Sequence, residues 1–254
     1  MKIHIAEDAG ALGKRSAALA SAEIRQAIAA RGQATIIIAT GASQFDFLHA
    51  LTADSRINWG VVTVFHLDEY VGLSDTHPAS FRKYLRERFV QQLPAALAAF
   101  HEVNGSAEPI QECQRLGALI AREGIDVCCL GIGENGHIAF NDPPADVETE
   151  APYIVVDLDQ ACRQQQVNEG WFATLDDVPR QAISMSVRQI LKSRVLVNSV
   201  PGPRKAIAVK NTVEGPLTPL CPASYMRQHP HCYLNLDVQS ANLLMKNTLQ
   251  GEIQ

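Results

Sequence analysis

Short apolar runs alternate with amphipathic stretches along almost the whole chain. The runs Lys2–Ile5, Ala34–Ala39, Val61–His66, Val127–Leu130, Tyr153–Val156, Val195–Asn198 and Cys232–Leu236 are too short for core helices and read as strands. Between them, apolar residues recur at helical spacing over Gly13–Arg31, Gln44–Asp54, Ser80–Phe89, Ile110–Glu123, Val187–Leu191, Arg204–Asn211 and Ala241–Asn247. Gly32 follows the first of these, where a C-terminal glycine cap belongs. The strands are continuous apolar runs rather than alternating ones, the pattern of a parallel sheet covered on both faces. The order predicts an α/β fold: an open, doubly wound, mostly parallel sheet with helices on both faces, Rossmann-like and three-layered. No repeat, low-complexity tract or long linker divides residues 1–254, so a single domain is expected.

Composition narrows the field. With 254 residues and 46% hydrophobic content the chain can bury a core without disulfide or metal support. A formal net charge of −5 argues against nucleic acid or an anionic membrane as partner, but a local site can still hold a small anion. The N-terminus lacks the apolar segment of a signal peptide, and no run reaches membrane-spanning length, so a cytoplasmic protein is expected. The six cysteines form no C-x-x-C pair and are expected to be free thiols. His229, His231 and Cys232 cluster without a second ligand group at zinc spacing and read as a turn entering the last strand.

Ligands of such sheets bind at the carboxyl ends of the strands, and four turns there carry candidate chemistry. The richest is Gly131-Ile-Gly-Glu-Asn-Gly-His137-Ile-Ala-Phe-Asn-Asp142-Pro-Pro144, where glycines that admit a ligand precede a histidine and a carboxylate. It contains the letters G-x-G-x-x-G, but Pro143 and Pro144 follow too soon for the long helix that a dinucleotide site needs. His137 is the candidate acid–base group, with Asp142 and, more weakly, Asn135 as partners fixing its tautomer. Thr40-Gly-Ala-Ser43 places hydroxyls and free N–H groups before a helix, fitting either a phosphate site or an ordinary N-cap by Ser43. Asp68 and Glu69 close an apolar strand; Asp68 fits a general base with Glu69 turned away, and both also fit a solvated strand end. In Val200-Pro-Gly-Pro203-Arg204-Lys205, two cations in a first helical turn oppose the helix dipole, a conflict that a bound anion resolves.

Together these segments resemble the glucosamine-6-phosphate deaminase/isomerase family, whose relatives include 6-phosphogluconolactonases. The likeness runs in order through Thr40–Ser43, Leu67-Asp-Glu-Tyr-Val-Gly-Leu73 with His77-Pro-Ala-Ser80, Gly131–Pro143, Lys205-Ala-Ile-Ala208 and Glu214-Gly215. Asp-Glu-Tyr and Gly-His-Ile-Ala-Phe-Asn follow the deaminase branch; the lactonase branch typically has Asp-Glu-Arg and Gly-His-Thr-Ala-Ser. The resemblance implies that Asp68 moves a proton from C2 to C1 of an open-chain amino sugar, and that His137, oriented by Asn135 and Asp142, assists ring opening. It further implies that Thr40, Gly41, Ser43 and Lys205 hold the 6-phosphate, with Ala42 and Gly136 in the binding turns. Glucosamine 6-phosphate would yield fructose 6-phosphate and ammonia, as in the cytoplasmic catabolism of N-acetylglucosamine, with no metal or organic cofactor.

The alternatives are a 6-phosphogluconolactonase and a non-catalytic sugar-phosphate sensor. The family's usual glutamate is Asp142 here, and its phosphate-clamping arginine falls near Asn168–Gly170, with Arg163 close in sequence but not aligned. Ile154 and Val156 stand where allosteric members carry a basic pair, so no activation by N-acetylglucosamine 6-phosphate is expected. Members occur as monomers and as larger assemblies, and a homo-oligomer is compatible with the sequence.

Overall fold

The computed structural model describes residues 1–245. Seven strands form one parallel sheet in the order β1-β10-β9-β6-β2-β3-β5. They are β1 (Lys2–Ala6), β2 (Ala34–Ile38), β3 (Val62–His66), β5 (Ala99–His101), β6 (Val127–Leu130), β9 (Val195–Val200) and β10 (Cys232–Asp237). A small antiparallel sheet, β4-β8-β7, lies apart, built from β4 (Asp68–Tyr70), β7 (Tyr153–Asp157) and β8 (Gln181–Met185). The helices are α1 (Ala9–Arg31), α2 (Phe45–Thr52), α3 (Phe81–Arg88), α4 (Pro109–Ile120), α5 (Gln160–Asn168), α6 (Val187–Leu191) and α7 (Ala206–Glu214).

The apolar runs become strands because both faces of the sheet are covered. Ile37 packs with Phe65, Cys128 and Leu196 on one side, whereas Ile36 and Ile38 pack with Val64, Val127 and Val197 on the other. All three isoleucines are fully buried, which stabilises the fold by about 1.5–3 kcal/mol per side chain. α1 starts where the Asp8 carboxylate accepts from the N–H of Ala11 and stops at Gly32, whose φ of 77° only glycine adopts readily.

Three expectations need correction. Tyr153–Val156 is not part of the parallel sheet but the edge of the antiparallel one, with Tyr153 buried and the next three residues partly exposed. The helix expected at Arg204–Asn211 opens instead as a 3-10 turn over Pro203–Lys205, and α7 follows from Ala206. The helix expected at Ala241–Asn247 is a series of turns through Leu244, and its last two residues lie outside the described residues. All six cysteines are free, as expected, and no described helix is long and apolar enough to cross a membrane.

Strand order reverses between β2 and β6: β3 and β5 continue outward from β2, while the chain returns beside β2 as β6 before adding β9 and β10. Such a switch point opens a crevice at the carboxyl ends of the strands, because the loops leaving neighbouring strands diverge. The turns after β2, β3, β6 and β9 surround that crevice.

Candidate active site

A cavity of about 310 Å³ fills the crevice, lined by residues of all four turns, by Phe81 and by one face of α5. Thr40, Gly41, Ala42, Ser43, Asp68, His137 and Lys205 line it. Asn135, Gly136 and Asp142 stand behind His137 rather than in the wall.

The turn after β2 bends at Gly41, whose φ is 102°, into a 3-10 turn over Ala42–Gln44. Ser43 is not a helix cap: α2 is preceded by Gln44, which makes no side-chain cap bond. The Ser43 hydroxyl instead faces the cavity and accepts from Gln44 Nε2 (3.1 Å). The same Gln44 amide reaches the carbonyl of Ser199 at the end of β9, also at 3.1 Å, tying two walls together.

Asp68 and Glu69 are successive residues of β4 and so face opposite ways. Glu69 is fully buried and accepts from the N–H groups of Tyr70, Phe81 and Arg82 and from the Ser80 hydroxyl. It thereby anchors the start of α3, where N–H groups have no helical partner. Asp68 turns into the cavity, and its Oδ1 has no hydrogen-bond partner among the described residues. Burial, with a smaller contribution from the Glu69 charge, pushes its carboxyl well above the usual carboxylate range. A carboxylate shifted this way is a stronger base than one in water.

His137 owes its position to the glycines before it. Its ring packs directly on Gly133, where a Cβ would fall 2.2 Å from Cε1. Gly136 turns with a φ of 89°, and its carbonyl accepts from the N–H of Ala223. Behind the ring, Nδ1 stands 3.0 Å from Asp142 Oδ1, a close approach that lies off the N–H axis of an ideal bond. Asn135 bridges the pair: its Oδ1 accepts from the His137 backbone N–H (3.1 Å) and its Nδ2 donates to Asp142 Oδ1 (3.3 Å). Burial alone would raise the Asp142 carboxyl, but its contacts with His137, Asn135 and Cys162 outweigh it and hold the group below its ordinary value. The side-chain donor atoms of His137, Asp142 and Cys162 lie within 4.8 Å of one another, close enough to hold a cation.

After β9, Gly202 turns with a φ of 92° and donates its N–H to Asp237 Oδ2 (2.9 Å). This sends Lys205 into the cavity, where only 9% of it stays exposed and burial lowers its pKa. No ion pair holds Lys205 among the described residues. Arg204 lines the cavity beside Lys205 and pairs with Glu134, Nε to Oε1 at 3.3 Å.

Several lining residues escaped sequence reasoning. Gln165, Gln166 and Glu169 come from α5 and the residue after it, Phe81 opens α3, and Phe140 follows His137. Asn141 braces the histidine loop from behind, its Nδ2 donating to the carbonyls of Ile138 and Met185 at 2.8 Å each. Helix α5 is polar, with only Cys162 and Gln166 buried; its one signal was Asp159, which caps it through the N–H of Cys162. Arg163 does not reach the cavity wall, since its guanidinium donates to the carbonyls of Leu175 and Val178.

The fold is α/β, and at its topological switch point one cavity brings together an unpartnered carboxylate, an imidazole and a buried lysine. Residues 7–234 match the family described as glucosamine-6-phosphate isomerases/6-phosphogluconolactonase, and the chain belongs to it. It is 36% identical to a glucosamine-6-phosphate deaminase of Streptococcus pneumoniae over 227 residues, 88% of this chain and 93% of that one. A deaminase of the same name from Exiguobacterium sibiricum is also 36% identical, over 83% of this chain and 81% of that one. The structure of a monomeric glucosamine-6-phosphate deaminase superposes with a TM-score of 0.88 at 29% identity, covering 96% of this chain and all of the other. A 6-phosphogluconolactonase structure from Neisseria gonorrhoeae matches with a TM-score of 0.74 at 19% identity, over 93% of this chain and 99% of that one, a likeness of fold alone.

Proposed function

We infer that this chain converts glucosamine 6-phosphate to fructose 6-phosphate and ammonia. The observation that carries the reading is the shared cavity of Asp68, His137 and Lys205, with an unpartnered, basic carboxylate at Asp68. Proton transfer between C1 and C2 of a sugar needs a base that can first accept and then return the same proton. Asp68 supplies that base: it takes the C2 proton of the open-chain amino sugar and returns it at C1. The product is a ketimine at C2, and water attacks it to release ammonia and leave the ketose phosphate.

His137 assists opening of the pyranose ring by moving the proton between the ring oxygen and the anomeric hydroxyl, and the Asp142 carboxylate steadies the charge that the imidazole gains in passing. The turn Thr40–Ser43 and Lys205 receive the phosphate: the turn gives neutral donors and Lys205 the charge. Asp142 is shorter than the glutamate expected at its place, yet it stands 3.0 Å from the imidazole, which supports an enzyme over a non-catalytic sensor. Sequence likeness to named deaminases over most of the chain also favours this substrate over a lactone. The reaction places the protein in amino-sugar breakdown, and six free thiols support a reducing, cytoplasmic setting.

The test is ammonia release from glucosamine 6-phosphate by the purified protein, with Asp68→Asn as control. Ammonia from the wild type and none above background from the variant is expected. A wild-type protein that releases none rejects the substrate.

A further inference from the structure

We propose that His137, Asp142 and Cys162 form an inhibitory zinc site behind the cavity wall, where the metal stops turnover by taking Nδ1 of the imidazole. The effect on turnover rests on the deaminase reading above; the binding of the metal does not.

Among the described residues, these three make the one group whose imidazole, carboxylate and thiol donors all lie within 4.8 Å of one another. Zinc takes this mixture of nitrogen, oxygen and sulfur in tetrahedral sites with bonds of about 2.0–2.3 Å, which sets neighbouring donors about 3.4–3.6 Å apart. To match, the 3.0 Å between His137 Nδ1 and Asp142 Oδ1 opens by about 0.5 Å, and the thiol closes in by about 1 Å at most. Separate elements supply the donors. His137 and Asp142 stand on the loop after β6, and Cys162 on the first turn of α5, where its N–H donates to Asp159. Only 12% and 6% of the His137 and Asp142 side chains are exposed, and 1% of Cys162. In that dry setting Nδ1 makes no well-formed hydrogen bond, and a buried polar atom left in this way is one that a metal bond satisfies.

Zinc binds a thiolate and a neutral imidazole. Binding therefore sends the Cys162 thiol proton to solvent and leaves the single proton of the imidazole on Nε2. A ring in that state cannot take another proton, and ring opening of the sugar needs one to pass through it. The metal also takes the Asp142 carboxylate that steadies the charged ring. Asp68, Lys205 and the turn Thr40–Ser43 keep their places, because Asp142 and Cys162 stand outside the cavity lining and draw the metal behind His137. The thiol sets the choice of metal: thiolate with imidazole suits zinc, whereas magnesium prefers oxygen ligands alone.

The experiment follows ammonia release from glucosamine 6-phosphate under added zinc, and the near-ultraviolet spectrum under added cobalt, a coloured stand-in for zinc. It uses the full-length wild type, Cys162→Ser, Cys162→Ala and Cys113→Ala. Saturating zinc should lower wild-type kcat by about ten-fold or more with KM within about two-fold, EDTA should restore it, and magnesium should leave it unchanged. Cobalt should raise a thiolate charge-transfer band that saturates at one metal per chain. Both Cys162 variants should lose that band and bind zinc at least about 100-fold more weakly, since even the outer-shell partners of a metal are worth about 10–100-fold. Each variant is read against its own metal-free rate, and urea unfolding checks that it is folded. Cys113→Ala, which removes the partly exposed thiol, should keep both responses. A wild type without the cobalt band, a band or zinc inhibition that survives loss of the Cys162 thiol, or inhibition that acts through KM overturns the proposal. Should the wild type release no ammonia, the deaminase reading fails, and the cobalt titration still decides the metal site.

Discussion

Replacing Gly133 by alanine probes the imidazole without touching any group that carries chemistry. Gly133 does not take the left-handed φ that strains an alanine. The methyl group would lie 2.2, 2.3 and 2.4 Å from Cε1, Nε2 and Nδ1 of His137, where ordinary contacts begin near 3.4 Å. The ring must therefore shift by about 1 Å, which alters its 3.0 Å approach to Asp142. A misplacement of about 1 Å in a reacting group costs about 10²-fold in rate. Ammonia release by Gly133→Ala should fall by that factor in kcat, with KM within about three-fold because the phosphate turns are untouched. Gly124→Ala serves as the control, since nothing lies within 4 Å of its added methyl, and it should retain full activity. Unfolding of both variants in urea guards against a global effect. If Gly133→Ala keeps a third or more of wild-type kcat while folded, the positioning of His137 by direct packing on this glycine is wrong.

Asp68→Asn should lose about 10²–10⁴-fold in rate by removing the base. It should also unfold at higher urea than the wild type at pH 7.5. The folded pKa of Asp68 lies above its unfolded value, so its stabilising contribution is full below the unfolded pKa and is lost as pH rises through the folded one. The gain from asparagine should fade toward pH 4, and a variant less stable than wild type at pH 7.5 would contradict the assignment. Glu69→Ala leaves the donors at the start of α3 and the nearby Arg82, 3.5 Å away, without their buried acceptor. It should cost about 3–5 kcal/mol in urea unfolding, and a loss below about 1 kcal/mol would refute the anchoring role. Lys205→Gln should raise KM for glucosamine 6-phosphate by about 10–100-fold, the worth of one charge-assisted contact, with kcat nearly intact. A change confined to kcat would remove Lys205 from phosphate binding.

The parts of this molecule that were legible in the sequence are those whose physics is local. A fully buried parallel strand needs a continuous apolar run, so the runs at Ala34, Val127 and Val195 could mean little else. Gly41, Gly136 and Gly202 all take positive φ at strand ends, so the turns carrying the candidate chemistry were marked by their own backbone demands. Strands β4 and β5 have three residues each, and β8 begins with the exposed Gln181; their pairing partners decide them, and no local pattern does. Helix α5 was missed for a related reason, because its run of glutamines carries almost no apolar stripe.

Asp68 and Glu69 show where local reading stops. Period two guarantees that adjacent strand residues face opposite ways, but it cannot say which one faces the ligand. That choice is made by α3. Its first N–H groups and the Ser80 hydroxyl converge on one carboxylate, and the chain places Glu69 among them, whose extra methylene gives it the longer reach. Once Glu69 is so held, Asp68 must face the cavity, and the burial that follows leaves it unpartnered and basic. The reactivity of one residue thus follows from the hydrogen-bond satisfaction of its neighbour. It also follows that Glu69→Gln, which keeps the side-chain length but weakens acceptance from three N–H groups, should disturb activity through Asp68 as well as stability.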